Sequence, residues 1–136
     1  MGAARPESPV IRVAAGIVVD DAGRWLLVRK QGTSRFMQPG GKPEPGESGA
    51  ETLARELAEE VGVVVCADEL VPRGTWHGDA ANEPGHALVA DVFEVPGRHS
   101  PVAAAEIAEL VWVDPGEPGV PLAPLTVALL ALHARP

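Results

Sequence analysis

The stretch GKPEPGESGAETLARELAEEVGV, Gly41–Val63, decides how the chain reads. It passes from a Pro/Gly loop into a helix pattern over residues 47–61 and leaves through Gly62, which can supply a left-handed cap. Glutamates stand at 44, 47, 51, 56, 59 and 60. At 100° per residue, Glu56, Glu59 and Glu60 share an arc of roughly 100°. Ala50, Leu53, Ala54, Leu57 and Val61 form a separate stripe that can pack on a core. Like charges at i, i+3 and i+4 repel on an isolated helix. Such a face is either solvated surface or the holder of a hard divalent cation, which takes carboxylate oxygens together with phosphates. Glu47 falls in the first turn of the expected helix, where exposed N–H groups favour negative charge.

Nine positions, Gly41, Glu47, Arg55, Glu56, Leu57, Glu59, Glu60, Gly62 and Val63, fit the pattern G-x5-E-x7-R-E-U-x-E-E-x-G-U, with U a bulky aliphatic residue. That pattern is the Nudix box, and the chain resembles a MutT-like single-domain member of the Nudix hydrolase superfamily. The resemblance implies an α/β fold, an α/β/α sandwich with a mixed central sheet. It would span residues 10–136 after a flexible tail at 1–9.

The same resemblance implies Mg²⁺, or Mn²⁺, held principally by Glu56 and Glu60, with Glu59 ligating or assisting and the Gly40 carbonyl reaching the metal. Glu47 would lie near the metal or support the helix. Arg55 would pair with a box glutamate and orient it, which suits a bidentate fork. A further carboxylate can take the proton of an attacking water. Family members place that base differently. Glu106, six residues before Trp112 as in MutT-like proteins, is the candidate here and completes an expected catalytic set of Arg55, Glu56, Glu59, Glu60 and Glu106. Asp79 and Glu83 are alternatives, followed by Glu109 and Asp114. Arg35, Phe36, Trp76 and His77 could bracket a base. Gln38 stands where the family commonly has an apolar residue; it either contacts a base or marks a wetter loop. Trp25, Phe93 and Trp112 read as core.

Elsewhere, Val10–Val19 and Arg24–Lys30 flank a turn and read as a hairpin. Val63–Ala67, continued by Leu70–His77, and His86–Val95 read as strands around a polar loop at 78–85. Ala103–Glu109 reads as a helical turn before a short strand at Leu110–Val113, and Pro121–His133 as an apolar helix.

The chain has 136 residues, enough for a core, and its formal charge of -8 argues against a large nucleic-acid partner. Cys66, the single cysteine, excludes an internal disulfide and reads as a small buried hydrophobe. With no apolar run of membrane-spanning length and no signal-peptide h-region, a cytoplasmic enzyme without a membrane partner is expected; the family resemblance implies a homodimer. The expected reaction is Mg²⁺-dependent hydrolysis of a diphosphate linkage in a nucleoside diphosphate derivative. A nucleoside triphosphate, oxidised forms included, would give monophosphate and pyrophosphate. ADP-ribose or another nucleotide sugar is the alternative substrate. The rival is a non-catalytic nucleotide-binding regulatory domain, which would normally have lost a box carboxylate.

Overall fold

Helix α1, Gly49–Val61, starts behind Ser48, whose hydroxyl accepts the Glu51 N–H while the Glu51 carboxylate accepts the Ser48 N–H. This reciprocal cap satisfies two donors that a helix start otherwise leaves orphaned. The helix stops at Gly62, φ 68°, with the Val63 N–H closing onto the Leu57 carbonyl. Glu47 therefore precedes the helix instead of lying in its first turn, because Ser48 takes the capping position. The computed structural model describes residues 9–80 and 85–133.

Strands β1 (Val10–Ile17), β3 (Gly40–Gly41), β4 (Val71–Asp79) and β5 (Ala87–Glu94) form one sheet in the order β3-β1-β5-β4. β1 and β5 run parallel and the other pairs antiparallel. β2 (Trp25–Lys30) and β6 (Ile107–Val113) make a separate antiparallel pair, and α2 spans Pro124–His133. Alternation along the strands sends side chains to two faces. Ala14, Phe93 and Val95 pack with Leu53, Leu57 and Val61 of α1, whereas Ala15, Ala90 and Val92 pack with Leu125 of α2. β2 divides likewise, with Leu26 and Val28 in the α1 cluster and Trp25 and Leu27 beside Leu130 of α2. A helix thus covers each face of a mixed sheet, which is the expected α/β/α sandwich. Leu53, Leu57 and Val61 are each 0% exposed; burial of one such side chain is worth about 1.5–3 kcal/mol, so the apolar stripe anchors α1 and fixes where its acidic face points.

Several local expectations give way. The hairpin survives only at its tip, where the Asp20 N–H bonds to the Arg24 carbonyl and Val19 bridges to Trp25. β3 and β5 occupy both edges of β1, so β2 leaves to pair with β6. No strand forms at 63–67. The Val63 N–H is committed to closing α1, and Ala67–Glu69 makes a 3₁₀ turn whose Glu69 carboxylate accepts the Cys66 N–H. Cys66 is exposed, not buried, because it caps that surface turn; the Glu69 carboxylate raises its thiol pKa. Residues 103–109 form no helical turn, since Val102 and Ala104 donate their N–H groups to α1 carbonyls and β6 begins at Ile107. The apolar helix starts later than expected, with Pro124 at its first position, where a missing N–H costs nothing. Trp25 and Phe93 are buried, and Trp112 packs partly buried against the α1 cluster. The tail expected at 1–9 lies, except for Pro9, outside the described residues.

Candidate metal centre

Arg55 binds the loop before α1 to the helix's acidic face. Its Nε and Nη2 donate to the two Glu47 oxygens at 2.7 and 2.9 Å. Nη1 donates to Glu56 Oε1 at 2.6 Å and to Glu59 Oε2 at 3.3 Å, and Nη2 also reaches the Lys42 carbonyl at 3.0 Å. The Arg55 bond, helped by the Glu44 N–H, holds the Glu47 carboxyl down at about 2. Glu47 in turn raises the guanidinium pKa, so the fork stays charged.

Glu56 and Glu60, one turn apart, meet Glu106 from the loop before β6. A carboxylate oxygen of each lies within 4.8 Å of the others. Glu59 lies outside this group; its side chain is 53% exposed and turned to Arg55. Glu106 is positioned by backbone. The Val102 and Ala104 N–H groups bond to the carbonyls of Val61 and Glu60, and Ala105 adopts φ 52° immediately before it. Lys30 Nζ stands 3.4 Å from Glu106.

The Glu60 side chain is buried, with Oε1 accepting the Gly40 N–H at 3.1 Å. Gly40 meets the group through that N–H. Oε2 of Glu60 is buried and has no hydrogen-bond partner among the described residues. Burial pushes the Glu60 pKa up to about 8; the Gly40 N–H and Lys30 oppose this, while the charges of Glu56 and Glu106 add to it. Glycines shape the cradle. A Cβ on Gly41 would stand 2.6 Å from Glu56 Cδ, and one on Gly40, φ 153°, would stand 1.9 Å from the Ala14 carbonyl oxygen. An orphaned buried carboxylate oxygen beside two more carboxylates fits a hard divalent cation, which Glu56 and Glu60 would hold with the Glu106 carboxylate beside it.

Beside these carboxylates opens a cavity of about 530 Å³, a size usual for small-molecule sites. Arg55, Glu56, Glu106, Lys30 and Lys42 line one part, and Ile11, Val13, Leu88 and Leu125 supply an apolar wall. Lys30 and Lys42 are the only lysines in the chain. Of the residues expected to face a base, Gln38 alone lines the cavity. Phe36 instead sits in the core with Trp25, Leu27, Val113 and Leu130, its outer face covered by Arg29, whose guanidinium is 5.9 Å from the ring centroid. Backbone bonds from Phe36 to Pro121 and Ala123 hold it there. Arg35 is exposed, Trp76 and His77 lie on β4, and none of the three lines the cavity. Among the alternative acids, Asp79 lines the cavity, Glu109 pairs with Arg29 at 3.2 Å, and Asp114 accepts the Gly116 N–H at 2.8 Å. Glu83 lies outside the described residues.

Sequence reasoning passed over Lys42, although its signal was present: it follows the paired glycines directly and is one of two lysines. It also passed over Thr126, whose hydroxyl bonds to Gln38 across 88 positions and left no local signal.

A family model described as the NUDIX domain matches residues 10–130. The CTP pyrophosphohydrolase of Escherichia coli (strain K12) is 33% identical over 126 residues, covering 89% of each chain. An 8-oxo-dGTP diphosphatase of Haemophilus influenzae is 38% identical over 71 residues, 49% of this chain and 52% of that one. The solution structure of the E. coli ORF135 protein matches with a TM-score of 0.71 at 31% identity, covering 93% of both chains.

Proposed function

This chain belongs to the Nudix family and is a hydrolase acting on a nucleotide diphosphate linkage; from that premise we propose that it cleaves a nucleoside triphosphate to the monophosphate and pyrophosphate. One observation carries the reading. Glu56 and Glu106, grouped with the buried Glu60, line a cavity shared with both lysines of the chain and with Arg55.

A diphosphate resists hydrolysis because its negative oxygens repel an incoming nucleophile. Carboxylates alone would repel it too, so the arrangement makes chemical sense only with positive charge between them and the substrate. Mg²⁺ held by Glu56 and Glu60 supplies, when bound, neutralisation of that charge and a more acidic water. Lys30 and Lys42 take up phosphate oxygens as point charges. Arg55, fixed to Glu47 and Glu56, keeps the Glu56 carboxylate in place. Glu106, the exposed member of the group, takes the proton of the attacking water. The relative matched over 89% of both chains is named as a CTP pyrophosphohydrolase, which supports a triphosphate substrate. The relative named for 8-oxo-dGTP matches only half of this chain, so kinship leaves the nucleobase open.

The test is product analysis on a panel of nucleoside triphosphates, 8-oxo-dGTP and ADP-ribose with Mg²⁺, alongside Glu60→Gln. Monophosphate and pyrophosphate should appear from a triphosphate, at least ~10²-fold more slowly in the variant, as when an interaction needed in the transition state is removed. Cleavage of ADP-ribose with triphosphates untouched overturns the substrate assignment. Absence of metal-dependent turnover on every compound overturns the enzymatic reading itself.

A further inference from the structure

Gln38 is a buried amide at a position where a leucine would fill similar space without carrying polar atoms into the interior. It is 5% exposed, and its Oε1 accepts the Thr126 hydroxyl at 2.8 Å. Its Nε2 is buried and has no hydrogen-bond partner among the described residues. Unpaired buried donors are rare enough in folded proteins that each needs a reason. Here the reason is not mobility of the loop. Met37 exchanges both backbone bonds with Val28, Phe36 is bonded to Pro121 and Ala123, and Pro39 accepts the Gly16 N–H. The backbone on both sides of Gln38 is therefore fixed, and Thr126, itself 0% exposed in the first turn of α2, fixes the side chain by its oxygen end. With that oxygen occupied, the group left over is the N–H₂ end, which can only donate.

Gln38 also lines the cavity that holds Lys42, Glu56 and Glu106 at its charged part and Leu88 and Leu125 on its apolar wall. Gly41, against the Glu56 carboxylate, is three residues further along the chain. At no more than ~3.3 Å per residue, the two positions lie at most roughly 10 Å apart, a span that can take a sugar between diphosphate and base. A neutral donor near apolar surface suits the planar edge of a base better than a phosphate.

We propose that Gln38, anchored by Thr126, donates from its amide nitrogen to an acceptor atom on the substrate's nucleobase and so selects among nucleotides. The inference rests on the triphosphate hydrolysis proposed above and extends it to the residue that sets base preference. Any base with an acceptor at the contacted point satisfies the amide; one lacking it leaves the buried Nε2 unpaired.

The experiment compares kcat/KM with Mg²⁺ for the natural triphosphates and for analogues that each lack one acceptor, namely 7-deazapurine, 3-deazapyrimidine and pyrimidin-2-one triphosphates. In the wild-type protein, the preferred nucleotide should lose about tenfold to a hundredfold when the contacted acceptor is deleted, the usual penalty for a buried donor left unmade. Gln38→Leu should treat that parent and its analogue alike within about twofold. Thr126→Val, which keeps the amide but frees its anchor, should narrow the same ratio and serves if Gln38→Leu folds poorly. A purely structural role for Gln38 would lower stability in both variants without changing the ratio. That result, or a wild-type protein indifferent to every deletion, overturns the proposal. Failure of the wild type to hydrolyse any triphosphate points instead to the underlying reaction.

Discussion

Gly41→Ala should leave the protein folded and disable it, because the methyl group would land on a carboxylate instead of on the backbone. The added Cβ stands 2.6 Å from Glu56 Cδ and 2.7 Å from Oε2, where carbon contacts normally settle at about 3.5–4.0 Å. The carboxylate must retreat by roughly 1 Å. Retreat strains the 2.6 Å bond from Arg55, a charge-assisted contact worth about 1.5–3 kcal/mol. It also pulls one oxygen out of the Glu56, Glu60 and Glu106 group. Gly41 has no positive φ, so alanine suits its backbone. The expected outcome is Mn²⁺ binding, followed by calorimetry or electron paramagnetic resonance, weakened tenfold to a hundredfold. Turnover should fall on the order of 10²-fold, the usual cost of an ångström of misplacement. Gly40→Ala is the contrasting case. Its methyl meets the Ala14 carbonyl oxygen at 1.9 Å at φ 153°, so the sheet itself must move, costing more than about 4 kcal/mol and lowering Tm by more than about 10 °C. If Gly41→Ala keeps metal affinity and turnover within twofold, or unfolds as Gly40→Ala does, the reasoning is wrong.

Arg55→Lys places one ammonium where a fork holds Glu47 and Glu56 together; steady-state assays should show kcat down about tenfold to a hundredfold, and undiminished kcat would contradict the orienting role. Glu60 keeps its proton to about pH 8 when folded but only to about 4.5 when unfolded. Between those values the native state binds more protons, so protein stripped of divalent cations should lose stability as pH rises through that window. Thermal melts in chelator should show this slope, Mg²⁺ should reverse it, and Glu60→Gln should flatten it. Ala105, at φ 52°, tolerates glycine but not proline, whose φ is locked near -65°. Ala105→Pro should therefore cost turnover as Glu106→Gln does while Ala105→Gly stays within about 1 kcal/mol of wild-type stability; equal activity of the two would remove the loop's role. Exposed Cys66 should label fully with a maleimide, slowly because its pKa is raised, without loss of turnover.

Much of the fold was legible because its rules are local. The 3.6-residue stripe of α1, its Gly62 end and most of the β-rich runs each follow from a few neighbouring residues, whereas the Ser48 cap falls one position inside the expected helix start. What local rules could not show is which edge pairs with which. The turn at Asp20–Arg24 is a genuine hairpin tip, yet β1 is claimed on both edges by strands from elsewhere in the chain. Phe36 beside a glycine turn looks available for stacking, and only the bonds to Pro121 and Ala123 turn it into core. Cys66 follows three valines and still ends outside, because the helix closure consumes the first valine's N–H and the chain never re-enters a sheet there.

Glu106 illustrates the limit most sharply. A helix end leaves its last carbonyls without intrahelical partners, and something must satisfy them. In α1 the carbonyls of Glu60 and Val61 are taken by Ala104 and Val102. Glu60 thus contributes twice: its side chain supplies one carboxylate, and its backbone anchors the loop that delivers another. The capping requirement of the helix and the assembly of the acidic group are met by the same few bonds, which is why the group does not depend on a long flexible side chain reaching across the fold. A pattern of residue types can mark Glu106 by its distance from Trp112. It cannot supply the reason for its position, which lies in two backbone hydrogen bonds that carry no side-chain signature at all.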